Sequence, residues 1–501
     1  MHLDIVFASL FDLVTSPTAL GLILLALPLG TFFGIVPGLG GKLGLVLLIP
    51  FVFGMDPMAG AVFLLAMHSV VHTGGSIPSI LFGVPGTGPD AATVVDGFPM
   101  AQKGQAGRAL GAMLAASGVG GVIGALFLAL MLPVIEPVVL AFGPAEFFLL
   151  AIFGITFIAA LSGKSLIKGL CVGLLGLMLA FVGLDPQTGT ARFTFGQLFL
   201  WDGVDVITAV LAIFAIPEMI ALAVKGGSIS AVSREAARYS FRDVIEGMID
   251  VVRHWGLTIR TSVIGAVIGL IPGLGGDAAS WICYGHAVQS SRTPDRFGRG
   301  AVEGVIAPET ANNSKEGGAL LPTLFFGIPG SSGMAIMIGA LIMLGIQPGP
   351  TMIVEHLDLV WMMVWTLVLA NVICVFMLLA CAPWFGLLAF MRGSLLVPFV
   401  FVLAMLGSYL SQGAWQNLVV LVALGSLGYL LKRCKWPRPP FVIGLVLGPI
   451  AEDSLNKSLA LWGPSFLLRP LSLVLLLLIA GSIVLYVWRL RHPGQEVAYD
   501  H

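Results

Sequence analysis

Long stretches without a charged residue limit what this chain can fold into. Gly111–Leu132 and Leu471–Trp488 are two of them, and each is close to the length of about 20 apolar residues that a membrane-spanning helix needs. Only 10% of the 501 residues are charged and 57% are hydrophobic, whereas soluble proteins carry about 25% charged residues. Because helices pair their backbone groups within one segment, they suit the bilayer interior. The sequence therefore predicts an all-α polytopic membrane protein.

Charge and cysteine usage exclude other classes. The net charge is −1, and nucleic-acid partners select basic surfaces, so we expect no nucleic-acid partner. The cysteines have no spacing typical of a metal or redox site, and we expect isolated thiols and no cofactor. They are Cys171, Cys283, Cys374, Cys381 and Cys434.

A phrase of helix-breaking residues occurs twice in this apolar chain. GIVPGLGG at 34–41 returns as GLIPGLGG at 269–276. A longer match follows each copy, because GGSIPSILFGVPGTG at 74–88 corresponds to GGALLPTLFFGIPGSSG at 317–333. The chain is therefore predicted to contain two structural repeats.

Domain boundaries follow from this match. The predicted parts are a first repeat over 1–225, a polar cytoplasmic linker over 226–240, a second repeat over 241–466, and an extra C-terminal transmembrane helix with a cytoplasmic tail over 467–501. Each repeat begins with an amphipathic segment, the clearest being FRDVIEGMIDVVRHW at 241–255. Such a segment is typical of a helix that lies along the membrane surface, and a solvated cytoplasmic helix is the alternative.

Basic residues predict that the two repeats are inverted. In the first repeat the loop after PGLGG (54–58) has no Lys or Arg, whereas the loop after GVPG has Lys103 and Arg108. In the second repeat the bias is reversed: Arg296 and two further arginines follow PGLGG, and the loop at 345–352 has none. Since cytoplasmic loops are rich in Lys and Arg, matching loops lie on opposite sides. Inverted repeats are typical of secondary transporters.

Each repeat contains two predicted helix breaks, at 37–41 and 83–88 in the first and at 272–276 and 327–333 in the second. Proline removes a helical hydrogen bond and glycine allows left-handed backbone and close approach. Broken backbone within a bilayer is tolerated where it is covered by protein or lines a cavity. We therefore expect broken or re-entrant helices whose breaks meet near the midplane.

The breaks indicate an anion-binding site made of backbone and small polar groups. Free N–H groups at helix N-termini favour anions, and hydroxyls and amides can bind carboxylates or cations. The predicted substrate-binding residues are Gly38, Gly40, Gly41, Ser76, Gly86, Thr87, Gly273, Gly275, Gly276, Asn312, Asn313, Ser314, Gly330, Ser331 and Ser332. Backbone carbonyls near four residues are the candidate Na⁺ ligands: Pro37, Gly83, Pro272 and Gly327.

Several of these features have a structural interpretation. Glycine lets membrane helices pack closely, and we expect Gly120 and Gly124 to do this. His68 and His72 are one turn apart and resemble half of a zinc-binding helix, but packing or hydrogen bonding is the favoured reading. Lys315 and its neighbour Glu316 are expected to pair with each other.

The motifs resemble a known family. PGLGG, GGSIPSILFGVPGTG, DGFPMAQKGQAGRALGA (96–112), APETANNSKEGGALLPTLFFGIPGS (307–331) and GIQPGP (345–350) are similar to the large membrane subunit of tripartite tricarboxylate transporters, the TctA family. The resemblance implies a permease of the bacterial inner membrane and not an enzyme. It also implies two partners, a small membrane subunit and a periplasmic solute-binding protein. Uptake would be a symport of a carboxylate, such as citrate or a related di- or aromatic carboxylate, with Na⁺ or H⁺.

Two departures and two rival functions remain open. FGVPGTGPD and the Lys-Glu pair of NNSKEGG differ from the expected family pattern at the presumed site, so citrate itself is not assumed. A membrane enzyme acting on a lipid or polyprenyl substrate would have a convergent set of catalytic Asp, His or Ser residues in one half. A passive anion channel would need no solute-binding partner.

Overall fold

The computed structural model describes residues 3–36, 39–161, 166–185, 188–225, 240–272, 275–386 and 393–491. Most of the predicted linker and the end of the tail, 226–239 and 492–501, lie outside these residues. Almost all of the described chain is helical, and Gly183–Leu184 pairs with Ala191–Arg192 in a short antiparallel ribbon. The all-α prediction is confirmed.

The helices account for most of the described chain. In chain order they are α1 (Leu3–Thr15), α2 (Pro17–Ile35), α3 (Gly40–Val52), α4 (Pro57–Phe82), α5 (Ala91–Gln102), α6 (Ala106–Leu140), α7 (Pro144–Leu161), α8 (Leu166–Ala180), α9 (Val206–Val210), α10 (Ile216–Lys225), α11 (Phe241–Arg253), α12 (Trp255–Gly269), α13 (Gly275–Ser290), α14 (Glu303–Phe326), α15 (Ser332–Met343), α16 (Thr351–Val354), α17 (Leu357–Gly386), α18 (Gly393–Leu410), α19 (Gln416–Arg433), α20 (Pro439–Trp462) and α21 (Pro470–Arg491). A π-helical turn, Leu211–Ala215, joins α9 to α10.

Several helices have the length and apolarity of membrane spans. Among the described residues, α2, α4, α6 and most of α17 are long and apolar enough to cross a membrane. α20 and α21 meet this requirement together, and the pair is bent by 67°. The chain is therefore a multi-pass membrane protein, as predicted. The bent pair includes the region where the extra C-terminal span was predicted.

Two compact units make up the chain. The larger consists of Met1–Pro137 and Ile207–Tyr429, and the smaller of Val138–Val206 and Leu430–His501. Within the smaller unit, the carboxylate of Glu146 accepts hydrogen bonds from Arg469 and from the backbone of Gly143. All four predicted breaks belong to the larger unit.

The order of elements in the larger unit repeats, and so does its backbone geometry. α4 and α14 each end at a left-handed glycine, Gly83 with φ 67° and Gly327 with φ 66°. The N–H of each glycine bonds to a proline carbonyl five residues earlier, in Pro78 and Pro322 respectively. α3 and α13 also start alike, because Gly40 has φ +66° and Gly275 has φ +65°. The matched letters in the sequence thus encode matched helix ends.

The first helix of each half packs on the other half. On α17, the indole N–H of Trp365 donates to the Val6 carbonyl of α1 at 3.0 Å. On α6, Arg108 donates to Asp250 of α11 at 2.6 Å. Large apolar side chains of both amphipathic helices stay exposed, among them Phe11 at 67% and Val252 at 72%. This exposed apolar face is what a helix lying along a membrane surface presents.

Candidate functional site

Two long helices place ionisable side chains in the interior. α4 is buried without interruption from Gly60 to Phe82, and α14 from Gly304 to Phe325. Ionisable groups at membrane depth are expensive and mark functional sites. α4 brings two histidines, and α14 brings two glutamates and a lysine; they are His68, His72, Glu309, Glu316 and Lys315.

A charged cluster forms where the two helices meet. The Lys315 ammonium bonds to Glu316, as expected from the sequence, and also lies 3.4 Å from His72 Nε2. Glu316 is within 3.5 Å of His72 Nε2 and within 3.6 Å of His68 Nε2. The two histidines and Glu316 each offer one metal-ligating atom, and these atoms lie within 4.8 Å of one another. Because the Lys315 ammonium is bonded to the same carboxylate and like charges repel, this donor set is better suited to hydrogen bonding than to a divalent ion.

The second break of the first half reaches this cluster. Thr87 Oγ1 lies 3.1 Å from His72 Nδ1. The N–H and hydroxyl of Thr87 both donate to Asp90, at 2.8 and 2.6 Å. On its other oxygen Asp90 accepts the side-chain N–H of Asn312 at 3.1 Å. Asp90 therefore ties a break of the first half to the main site helix of the second.

The first break of the second half lies against the same residues. A Cβ placed on Gly276 would be 2.3 Å from Lys315 Cε, 2.8 Å from Pro89 Cγ and 3.1 Å from Asn312 Oδ1. Three side chains therefore lie close to the Gly276 backbone, and the ring of Pro89 in particular leaves little room for a Cβ. A Cβ on Gly275 would make only an ordinary contact, 4.0 Å from Ser331 Cβ, and its left-handed φ is what favours glycine there.

The second break of the second half also reaches the cluster. Ser331 caps α15 by accepting the N–H of Met334 at 3.2 Å, and Ser332 is the first residue of that helix. A Cβ on Gly333 would be 2.5 Å from His68 Cε1. Gly330 packs on Ala319 of α14 and donates to Thr323. Three of the four breaks therefore meet at the charged cluster.

The remaining predicted residues lie at different distances from it. Gly41 packs on Val71 of α4, whereas Gly40 has open space around it. Gly86 packs on Gly34 and donates to the carbonyl of Gly75. Pro37, Gly38 and Gly273 lie outside the described residues, and the proposed carbonyl contacts of Na⁺ stay a prediction.

The polar residues of α14 face several directions. Asn313 donates to Thr73 of α4 at 3.0 Å and to Asn371 of α17 at 2.7 Å. Ser314 bonds to the carbonyl of Ala311 within its own helix and packs against Gly265 of α12. Asn313 therefore links α14 to α4 and α17, while Ser314 belongs to the packing between α14 and α12.

Three carboxylates at the site were not among the predicted site residues. Two are Glu316 and Asp90. The third is Glu309, which accepts hydroxyl hydrogen bonds from Ser76 at 2.5 Å, Thr93 at 2.5 Å and Ser117 at 2.9 Å. An ionisable residue within a helix of membrane-spanning length is the sequence signal that marks Glu309. Its hydroxyl partners are more than 190 positions away along the chain, so the sequence did not connect them.

Comparison with known proteins identifies the family. The pattern described as "Tripartite tricarboxylate transporter TctA family" matches residues 20–443. An "Uncharacterized 52.8 kDa protein in TAR-I ttuC' 3'region" of Agrobacterium vitis is 32% identical over 462 residues, which is 90% of this chain and 88% of the relative. An "Uncharacterized protein in TAR-II ttuC' 3'region" of the same organism is 33% identical over 198 residues, 39% of this chain and 81% of the relative. No solved structure matches. The chain belongs to the TctA family and is a membrane component of the tripartite tricarboxylate transporter type.

Proposed function

We propose that this chain is the permease subunit of a binding-protein-dependent secondary transporter that takes up a carboxylate together with a cation. It would work in the bacterial inner membrane with a small membrane subunit and a periplasmic solute-binding protein. The family supports the transporter class. The observation that carries the rest is the meeting of three helix breaks around one buried ammonium, that of Lys315.

The same site offers donors to an anion. Lys315 supplies a positive charge, His72 supplies an imidazole beside it, and the Asn312 amide has a second N–H besides the one that bonds to Asp90. α13 begins at Gly275 and α15 at Ser332, next to the cluster. The N-terminus of a helix carries a partial positive charge that favours carboxylates.

The charges at the site also explain why a cation would have to accompany the substrate. One ammonium, on Lys315, is accompanied by the carboxyl groups of Asp90, Glu309 and Glu316, all of them buried. Like charges repel strongly in a low-dielectric interior. A carboxylate substrate entering alone would add to the negative charge. Binding of Na⁺ or H⁺ in the same step would offset this cost and couple the two movements.

The rival functions account less well for this arrangement. A membrane enzyme would gather its catalytic residues in one half, whereas here α4 of the first half and α14 of the second contribute about equally. In a passive channel we expect a polar path that remains open. The interhelical ion pairs and hydrogen bonds at this site instead favour a site that rearranges between two states.

Reconstituted uptake tests the proposal. The complete transporter, with its small subunit, would be placed in proteoliposomes and supplied with the binding protein and a panel of radiolabelled carboxylates that includes citrate. We expect uptake of at least one carboxylate, dependent on the binding protein and abolished when the ion gradients are collapsed. Uptake that needs neither the binding protein nor a gradient would identify a channel and overturn the proposal.

A further inference from the structure

The carboxyl group of Glu309 is surrounded by hydroxyls. Its Oε1 accepts from Ser76 of α4 and Thr93 of α5, and its Oε2 accepts from Ser117 of α6. The residue is fully buried. Within the described part of the chain, no ion pair or backbone N–H reaches this carboxyl group.

The other buried carboxylates of the larger unit are held differently. Asp90 accepts the backbone N–H of Thr87 and the amide N–H of Asn312, besides the Thr87 hydroxyl. Asp96 accepts the backbone N–H groups of Gly300 and Ala301, besides the Tyr284 hydroxyl. Glu316 is bonded to the Lys315 ammonium. N–H and ammonium groups only donate and favour the ionised form of a carboxylate, so each of these three carboxylates has at least one partner that opposes its protonation.

Glu309 is free of that restriction, because its hydrogen-bond partners among the described residues are hydroxyls only. A hydroxyl can rotate and can donate to a carboxylate or accept from a carboxylic acid. Glu309 can therefore change protonation state while keeping its side-chain position and its hydrogen bonds. In an interior where an unmade hydrogen bond costs about 1–3 kcal/mol, this property distinguishes Glu309 from Asp90, Asp96 and Glu316.

We infer that Glu309 is the residue that takes up and releases the coupling proton, and that the cation moved with the carboxylate is H⁺. This inference rests on the proposed function. The proton adds to the Glu309 carboxylate to give a carboxylic acid on the inward step and leaves to restore the carboxylate on release.

Ser76 connects this proton to the substrate site. Its hydroxyl donates to Glu309 at 2.5 Å and lies 3.4 Å from Asp90 Oδ1. When Glu309 is protonated, its O–H donates to Ser76 Oγ, and the proton of Ser76 is free to turn toward Asp90. Because Asp90 holds Thr87 and Asn312, the protonation state of Glu309 changes the hydrogen bonding of two residues predicted to contact the substrate.

Other titratable groups surround Glu309 at longer range. On α4 the nearest along the helix is His72, one turn from Ser76. Asp90, just before α5, and Asp96, on α5, lie on either side of Thr93 in the sequence. Arg108 is on α6, as is Ser117. On α13, Tyr284 donates to Asp96. Lys315 and Glu316 follow on α14 itself. A variant that alters pH dependence therefore has to be compared with variants that leave these groups in place.

The decisive variant is Glu309→Gln, which keeps the size of the side chain but cannot titrate. In proteoliposomes containing the complete transporter, the wild-type protein should acidify the lumen as it takes up a radiolabelled carboxylate, read with an internal pH dye. Glu309→Gln should lose proton uptake and concentrative accumulation, yet exchange internal for external carboxylate within about threefold of the wild-type rate. Proton-driven accumulation by Glu309→Gln would overturn the inference.

A second pair of variants keeps the test decisive if Glu309→Gln does not fold. Ser117→Ala removes one donor from the carboxylate and favours the acid form. The pH of half-maximal uptake should rise by about one pH unit. Ser79→Ala is the matched control, because Ser79 is also a buried serine but bonds to the carbonyl of Gly75 within α4. Identical pH profiles for Ser117→Ala and Ser79→Ala would contradict the inference.

The controls separate this inference from the proposed function. If the wild-type transporter takes up no carboxylate of the panel, the proposed function fails. If it accumulates a carboxylate on an Na⁺ gradient alone, without moving protons, the proposed function stands and the role of Glu309 is wrong.

Discussion

Two neighbouring asparagines on α14, Asn312 and Asn313, have different hydrogen-bond partners at this site. Asn312 donates to Asp90, next to the break of the first half, while Asn313 donates to Thr73 and Asn371 on two other helices. Within the part of the chain that the structure describes, the Oδ1 atoms of both are buried and have no hydrogen-bond partner. Buried acceptors are normally satisfied, so these two oxygens are suited to a donor group or a cation brought by the transported species.

The asparagines provide the first prediction. Asn312→Ala should raise the carboxylate concentration needed for half-maximal uptake about tenfold to a hundredfold, because removing a buried partner costs about 1–3 kcal/mol. Asn313→Ala should have an equal or smaller effect, and Ser331→Ala should act mainly through loss of the α15 cap. Initial rates against substrate and against ion, at matched expression, measure this. Wild-type dependences in all three variants would exclude these residues from the site.

At the scale of elements, glycines serve the broken helices in two distinct ways. Gly40 and Gly275 start α3 and α13 in the left-handed region, and an added Cβ would overlap no described atom at either position. We expected close backbone approach at these positions; the structure instead assigns that role to Gly276, whose Cβ would overlap Lys315. The three glycines look alike in the sequence. Only the backbone φ angle shows that Gly40 and Gly275 are needed for their conformation, and only the packing distances show that Gly276 is needed for its small size.

This difference leads to the second prediction. Gly275→Val should abolish uptake while the protein still inserts, since a β-branched residue is strongly disfavoured at positive φ. Gly275→Asn should recover a substantial part of the activity, because asparagine tolerates the left-handed region. Gly276→Ala should also lose uptake, although alanine is smaller than valine or asparagine, because its Cβ would overlap Pro89 and Lys315. Equal uptake by Gly275→Val and Gly275→Asn would show that backbone conformation is not what matters at this position.

Gly120 and Gly124 of α6 give the third prediction. A Cβ on Gly120 would be 2.4 Å from the Thr310 carbonyl, and one on Gly124 would be 2.5 Å from the Ser314 carbonyl. These glycines let α6 approach α14, as the spacing predicts. Gly120→Ala should therefore lower the melting temperature in detergent and the protein yield, with little change in substrate preference. Gly21→Ala is the matched control, because a Cβ on Gly21 would have no described atom of another segment within 4 Å. A wild-type melting temperature for Gly120→Ala would contradict this packing role.

On the scale of the whole molecule, loops group by charge. The Lys103 ammonium donates to the carbonyl of Arg299 at 2.5 Å, so a basic loop of one half touches a basic loop of the other. Conversely, Gly60 follows the loop at 54–58 and Leu344 precedes the loop at 345–352, and neither loop has a basic residue. A Cβ on Gly60 would be 2.9 Å from Leu344 Cδ1, so the segments next to these two loops are in contact. This grouping is what inverted repeats with cytoplasmic basic loops require.

Orientation is the fourth prediction. Cysteines at positions 296 and 347, each introduced into a cysteine-free protein, should react with a membrane-impermeant thiol reagent from opposite sides. Position 56 should be labelled from the same side as 347. Labelling of 296 and 347 from one side would disprove the inverted arrangement.

The sequence predicted much of this molecule because local features determine it. Charge-free stretches predict spans, and the Gly-Pro phrases predict where α4 and α14 end. What the sequence did not predict depends on distances across the fold. Glu309 and Ser76 are 233 positions apart, and the role of a buried carboxylate depends on which partners surround it. The predicted domain boundaries stay a prediction, since the compact units of the structure are each assembled from two separate segments.

The reciprocal packing of the surface helices has a consequence for biogenesis. α1 leaves the ribosome long before the helix that it contacts, because α17 begins only at Leu357. At a synthesis rate of about 5–20 residues per second, α1 would wait roughly 20–70 s for its partner. During this interval the apolar face of α1 needs another cover, which the lipid headgroup region can offer. Final assembly is therefore delayed until most of the chain has been made, and either half produced alone would be an incomplete folding unit.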